Sequence, residues 1–527
     1  MADVTIENLP LANVIVPSVD VLPLVTGTGT LITKKATANE VVASILETDP
    51  LFSVSAVATG TLPDGSTVII NTNGTVSAVT GNAAVVGSDI VFSGSCVNLQ
   101  ACWITESNVI AIVYQSTVDD TIQIYSGQVS GTTINFNYAG PVTLATGAPD
   151  GGTFPTICTY YGSSLVIVSY SPVSDNQLYV VGVEIDSGAN ITDVGTPVLV
   201  DSTYTTNQAV SDSYFALLNV FDGAFFIAYQ TTDGGIRAAS VTAFGTSLTL
   251  SGSYQLSTST YTPDITLGYY SPYLVAFYQN GSGAGITIGT FNGSTLTAIN
   301  TINLTGFNLT QNTFASVLRS DGSLLVAFAE VNTGVLDAVV ISINYTTFTA
   351  TILNRQLIDT SPAVGRNAIA IYQYPNGTAD IFYEVTATGL LKAARIQVNA
   401  GGIIKVTDEL ELVQSAFSTA LSVSPTGTDY QTVVFFESSS DGQNFLIYNA
   451  ANTNMTDTNF IGFSYGDYTN GQTAIVKTIG SAIAGLSGLV TGSHYYVTET
   501  GALSTTPGNP TVNAGTAIST TALTMNG

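Results

Sequence analysis

Between residues 88 and 455 the chain alternates two hydrophobic patterns. One is a short, continuously apolar run closing on an aromatic and a small polar residue. It occurs at 110–115, 165–170, 225–230, 274–279, 325–330, 379–384 and 432–437. A strand reads this way when both of its faces are buried. The other pattern follows after a polar turn and alternates apolar with polar, as at 121–125, 177–183, 235–239, 285–289 and 391–396. The position of the terminal aromatic (Tyr114, Tyr170, Tyr229, Tyr278, Ala329, Tyr383, Phe436) advances in steps of 56, 59, 49, 51, 54 and 53. Further apolar stretches before and after each pair bring the repeat to four strands. A four-stranded repeat near 50 residues is the length of a β-propeller blade. The pattern therefore predicts an all-β chain with a seven-bladed propeller over 88–455. A β-solenoid or two stacked sandwiches are the competing architectures. The stretch 88–93 reads as an outer strand that completes the seventh blade from the N-terminal side, which leaves no free edge.

The flanks have other rhythms. Residues 1–50 predict a hairpin and a short helix. Thr37 and Glu40 have the spacing of a capping box, and Val41, Val42, Ile45 and Leu46 make an apolar stripe at helical spacing. Fifty residues bury too little to stand alone. The stripe is expected to pack against copies of itself or a docking partner. Residues 51–87 read as a small β-meander, with turns at Pro63-Asp64-Gly65 and Asn73-Gly74. Residues 456–527 read as a separate C-terminal β-rich domain.

Composition narrows the function. Ten basic residues face 36 acidic ones, a formal net charge of −26. Such a surface is repelled by phosphate backbones and anionic headgroups, which excludes nucleic acid as a partner. The mean hydropathy is +0.36, yet no run is long and apolar enough to insert in a membrane. The first residues lack a basic stretch ahead of an apolar core, so no signal peptide is expected.

Catalytic parts are few. His494 is the lone histidine, and Cys96, Cys102 and Cys158 have no ligand or disulfide spacing. They read as small buried hydrophobes. Arg237, Arg319, Arg355, Arg366 and Arg395 are dispersed over the repeats and do not predict the arginine clamp of a sialidase. Most acidic residues fall in turns, where Asp caps the backbone. The chain is read as a non-enzyme with no cofactor. The acidic turns offer oxygen ligands, but none has the spacing of a dedicated calcium loop, so that signal is weak.

Aromatics are the remaining chemistry, because an apolar ring face stacks on sugar C–H faces and tyrosine adds a hydroxyl. Tyr160, Tyr161, Tyr269, Tyr270, Tyr273 and Tyr374 are expected between first and second strands, and Tyr204 and Tyr261 in loops that link blades. These are the candidate receptor contacts. For any one of them, packing at a hairpin is the simpler role.

Three segments carry a resemblance. The N-terminal Asn8-Leu-Pro-Leu-Ala-Asn, Val21-Leu-Pro-Leu-Val25 and Ile32-Thr-Lys-Lys-Ala-Thr-Ala-Asn39 resemble the virion-proximal start of bacteriophage tail-fibre and virion structural proteins. Residues 58–76 resemble a module of phage fibre and structural proteins, and so does the C-terminal Phe460-Ile-Gly-Phe with Gly488-Leu-Val-Thr-Gly-Ser-His-Tyr-Tyr-Val497 and Gly501-Ala-Leu-Ser-Thr-Thr-Pro-Gly508. The resemblance implies attachment to other virion proteins through the N-terminal segment and a homo-oligomer, usually a trimer. It implies residence on the virion exterior, at tail or capsid, after synthesis in the host cytoplasm. A tail fibre or adhesin would meet a host surface glycan or protein. A capsid decoration protein, head fibre or tail-hub component would bind only virion proteins. A glycan-degrading tailspike is the third reading. No catalytic residue comes with the resemblance.

Overall fold

The computed structural model describes most of residues 52–526 and, before them, only Leu24–Val25 and Leu31–Ile32. The longest internal breaks are 147–154, 203–214, 259–264 and 361–368. The described chain is all-β and divides into two compact units. One is Val85–Ala450, and the other combines Met1–Ala84 with Ala451–Gly527. Leu24 and Val25 pair antiparallel with Ile32 and Leu31, which is the expected hairpin. The expected helix with Val41, Val42, Ile45 and Leu46 lies outside the described residues.

The unit Val85–Ala450 is a propeller. Among the described residues it holds seven antiparallel sheets of four or five strands, each built from consecutive strands except the last. The innermost strands are Cys96–Ile104, Thr156–Thr159, Phe215–Phe221, Ile265–Tyr270, Leu309–Leu318, Ile369–Gln373 and Phe417–Pro425. Each touches the next, and the seventh touches the first, so the sheets form a closed ring. The seventh blade takes Phe417–Pro425, Gln431–Ser438 and Gly442–Asn449 from the C-terminal side. Its outer edge comes from before the first blade. Ile90 and Val91 pair with Phe445 and Asn444, and Val85 and Val86 with Asn449 and Tyr448.

The apolar runs are the second strands. Val109–Ser116 is buried at every residue, and so is Leu165–Tyr170. Both faces of each are covered by neighbouring blades. Val166 and Val168 pack with Val109, Ala111 and Val113 of blade one, whereas Leu165 and Ile167 pack with Phe225, Ile227 and Tyr229 of blade three. The cysteines join these interblade cores. Cys96 is buried between blades seven and one, and the half-buried Cys102 and Cys158 flank the cores on either side of blade two. Burial raises both of those thiols above their ordinary pKa, which suits packing and not nucleophilic chemistry.

The recurring aromatic has a second task. A buried phenol must find a hydrogen-bond partner, and at several blades the contact runs toward the preceding one. The Tyr229 hydroxyl donates to Asp201 Oδ2 at 2.9 Å, at the end of blade two. Tyr383 donates to Asp359 Oδ2 at 2.9 Å, at the end of blade five, and lies 3.1 Å from Glu409 Oε1. Tyr278 reaches Thr287, whose hydroxyl donates to the Leu256 carbonyl of blade three at 3.0 Å. Lys392 Nζ lies 3.1 Å from Asp359 and 2.6 Å from Glu409, which balances the two carboxylates under Tyr383. Burial, and then Asp359, push the Tyr383 phenol far above its usual range.

Tyr374 departs from its expectation as a receptor contact. It is 2 % exposed. Its hydroxyl donates to Asp380 Oδ2 at 2.8 Å and lies 3.2 Å from Thr432 Oγ1 of the next blade. Asp380 is fully buried and takes a two-pronged contact from Arg395, both at 2.8 Å. The Arg395 guanidinium lies over the Tyr374 ring at 5.1 Å. A buried ion pair needs its remaining lone pair filled, and Tyr374 fills it.

The second unit also differs from expectation. The meander and the C-terminal segment share one five-stranded sheet, ordered Ser53–Val57, Thr473–Lys477, Phe460–Ser464, Thr67–Ile70, Val76–Ala78. A parallel bridge from Ala58 to Val76 brings the two edges together. Val68, Val76, Ala474 and Val476 fill its inside. Ile69 and Phe463 face the other way, against a second sheet that contributes Val497, Val512 and Leu523. Neither segment alone could cover its apolar face, so they fold as one.

Two stability measurements follow. Tyr383→Phe removes a hydroxyl shared by two carboxylates and should cost about 1.5–3 kcal/mol in chemical denaturation. Arg395→Met leaves a buried carboxylate without its cation and should cost about 3–5 kcal/mol, with most of the loss recovered in Arg395→Met/Asp380→Leu.

Candidate functional site

Each blade crosses its sheet from inner to outer strand. The turns after first and third strands therefore all emerge on one face of the ring. On that face, blades four and five bring together three of the expected tyrosines. Tyr269 and Tyr270 end the inner strand of blade four, and Tyr273 opens its second strand, with Tyr270 and Tyr273 paired across the turn. Tyr270 is 36 % exposed, and Tyr269 and Tyr273 are half-buried. Tyr160, Tyr161, Tyr204 and Tyr261 lie outside the described residues.

Two aromatics that the repeat pattern did not single out complete the group. Tyr345 and Phe348 sit in the turn between Leu336–Asn344 and Thr349–Asp359 of blade five. Asn344 builds that turn, because its side chain accepts hydrogen bonds from the Thr346 and Thr347 amides at 2.9 and 3.0 Å. Tyr345 stacks on Tyr270 at 5.0 Å and 24° and on Tyr273 at 4.7 Å and 27°. Phe348 meets Tyr273 edge-on at 6.2 Å. Their signal was present in the sequence as an Asn-Tyr-Thr-Thr-Phe turn, but only the fold says that it faces Tyr270.

The other hairpin of blade five locks the stack. The Tyr345 hydroxyl donates to the Gly322 carbonyl at 2.8 Å. Gly322 has φ +80°, and a Cβ there would meet Tyr345 at 3.0 Å and Tyr270 at 3.2 Å. Glycine is required on both counts. Asp321, just before it, accepts from the Ser323 amide at 2.9 Å and hydroxyl at 2.6 Å, and from Arg319 Nη1 at 2.9 Å. The Asp321 side chain remains 55 % exposed, against 10 % for Arg319. Burial works to raise the Asp321 carboxyl, but the Ser323 hydrogen bonds and the Arg319 charge outweigh it and hold the pKa below its usual value. The stabilisation this brings is complete above the ordinary carboxylate pKa and fades as pH falls through the lowered one. Burial, followed by Tyr270 and Asp321, drives the Tyr345 phenol well above its usual range. Across neutral pH the site therefore presents the neutral Tyr345 ring beside an ionised Asp321.

The same face holds a cavity at the ring axis, about 780 Å³, lined by Cys102, Trp103, Cys158, Leu218, Asn219 and Pro425 among others. Trp103 packs tightly over Gly427 of blade seven, where a Cβ would come within 2.2 Å of its ring. Among the described residues that line this cavity none carries a carboxylate or a cationic group. The described arginines of blades five and six sit in separate ion pairs. Arg319 pairs with Asp321, Arg355 with Glu330 and Asp337, and Arg395 with Asp380. Among the described residues no three His, Cys, Asp or Glu side chains gather as metal ligands.

No protein-family model matches this chain, and no curated protein matches it. Solved structures are similar in fold. One is AofleA from Arthrobotrys oligospora, at 13 % identity over 68 % of this chain and 96 % of that one, with a TM-score of 0.39. Another is a candidate 6-phosphogluconolactonase from Bacteroides fragilis, at 13 % identity over 69 % and 96 %, with a TM-score of 0.44. A third is the WD40 domain of Toxoplasma gondii coronin, at 10 % identity over 76 % and 91 %, with a TM-score of 0.44. At this level the likenesses carry no function across, and the propeller rests on the closed order of its own seven sheets.

Proposed function

We propose that this chain is a bacteriophage virion protein, a tail fibre or receptor-binding adhesin that presents propeller turns to a host surface glycan or protein. The observation that carries the reading is the locked aromatic stack of Tyr270, Tyr273 and Tyr345, of which Tyr270 is exposed. Rigid aromatic area at hairpin tips offers contact at low entropic cost. Residues 1–50 attach the chain to other virion proteins, and association into a trimer is part of the same reading. On a particle, several weak sites add through effective concentration. The protein works by adhesion and not by catalysis.

One observation favours a second reading, a capsid decoration or tail-hub protein without host affinity. In the two-sheet unit a cavity of about 740 Å³ is lined by Val54, Ile70, Phe460 and Ile479. Val54, Ile70 and Ile479 are 44 %, 42 % and 60 % exposed. An open apolar surface of this kind suits contact with another protein.

Two measurements separate the readings. Antibody against residues 88–450 should label tail tips or fibres in immunogold electron microscopy, whereas label over the capsid favours decoration. Purified full-length protein should bind host cells and compete with phage adsorption. The variant Tyr270→Ala/Tyr345→Ala should lose that competition while the fold persists by circular dichroism. Absence of cell binding by the intact protein defeats the adhesin reading.

A further inference from the structure

We infer that the stack on blades four and five is a subsite for a neutral pyranose, seated on the free face of Tyr270 and hydrogen-bonded to Asp321. This deepens the adhesin reading and rests on it for its biological meaning, but not for its chemistry.

The inference starts from how Tyr270 is held. One side of its ring is occupied by Tyr345 at 5.0 Å, and a Cβ at Gly322 would lie 3.2 Å from its Cε1 and Cζ. Tyr345 is fixed in turn by Tyr273 and by its hydrogen bond to Gly322. The ring is therefore immobilised from behind, while 36 % of the residue faces solvent. A flat apolar face, ordered before the ligand arrives, suits the flat C–H face of a sugar ring, whose own entropy loss is small.

The charge then selects among sugars. Asp321 stays ionised at neutral pH and keeps half of its side chain in water. Three of its hydrogen bonds are already made, to Ser323 and Arg319. Two carboxylate oxygens have about four acceptor sites, so capacity is left for a hydroxyl donor. The cation in the turn, Arg319, is nearly buried, and its Nη1 is committed to Asp321 and Ser323 at 2.9 and 3.0 Å. It cannot turn outward to a sugar carboxylate without breaking the hairpin. A sialic or uronic acid would thus meet an anion beside a stacking ring, on a chain of net charge −26. A neutral hexose meets a hydroxyl acceptor and a stacking face.

The test uses the full chain and saturation-transfer NMR titrations. The probes are methyl glucoside, methyl galactoside and methyl mannoside, against N-acetylneuraminic acid and glucuronic acid. At least one neutral glycoside should bind, with a pH profile flat from 5 to 9 because neither Asp321 nor Tyr345 titrates there. The acids should bind more weakly. Tyr270→Ala should weaken binding about tenfold, Asp321→Asn severalfold, and Tyr270→Phe little. Phe244→Ser removes an exposed aromatic from another blade and should change nothing. Thermal melts show that each variant is folded. The inference is overturned if no neutral glycoside binds at millimolar concentration, if the acids bind better, or if Tyr270→Ala binds as wild type. Glycoside binding without cell adhesion would leave the subsite standing and defeat the adhesin reading instead.

Discussion

A blade of this protein has no dry interior of its own. Its second strand is apolar on both faces, and a lone sheet would expose one of them to water. Each blade is therefore stable only as a wall of two cores, and seven walls need an eighth that is also the first. Closure by Ile90–Ser93 against Gly442–Asn449 meets that need. Without it, Phe445 and Phe435 would lose the cover they share with Ile110, Ile112 and Tyr114 of blade one.

Burying whole strands creates a second problem, the disposal of polar groups. The protein concentrates it at the ends of the second strands. There a phenol reaches toward the preceding blade at Tyr229 and Tyr383, and a bidentate Arg395–Asp380 pair closes with Tyr374. The same residues that hold neighbouring blades together thus account for aromatics and arginines that could pass for binding chemistry. What remains for recognition is what packing leaves uncovered, and at the turns of blades four and five that includes the exposed Tyr270, packed next to the Asp321-Gly322 turn.

The repeat was legible because every blade solves the same packing problem at the same strand position. The aromatic recurs with it, and its period gave strands, blade count and the closing strand. Contacts between unlike turns left no such trace. Tyr345 and Tyr270 are 75 positions apart in different hairpins, and nothing in either hairpin announces the other. Tyr374 reads like Tyr270 in sequence, since both end an inner strand. The difference is Asp380 below it, buried only because Arg395 lies opposite on the next strand. The shared sheet of the two-sheet unit was hidden for a similar reason. Ser53–Val57 finds its partner, Thr473–Lys477, after the whole propeller has intervened.

That arrangement has an entropic side. The propeller is an insertion, entered at Val85 and left at Ala450, and these two points are neighbours, because Val85 pairs with Asn449. The chain before the propeller and the chain after it therefore set out from adjacent positions. Once the ring is closed, the loop that Ser53–Val57 must close to reach Thr473–Lys477 is far shorter than the sequence between them, and its closure costs correspondingly less.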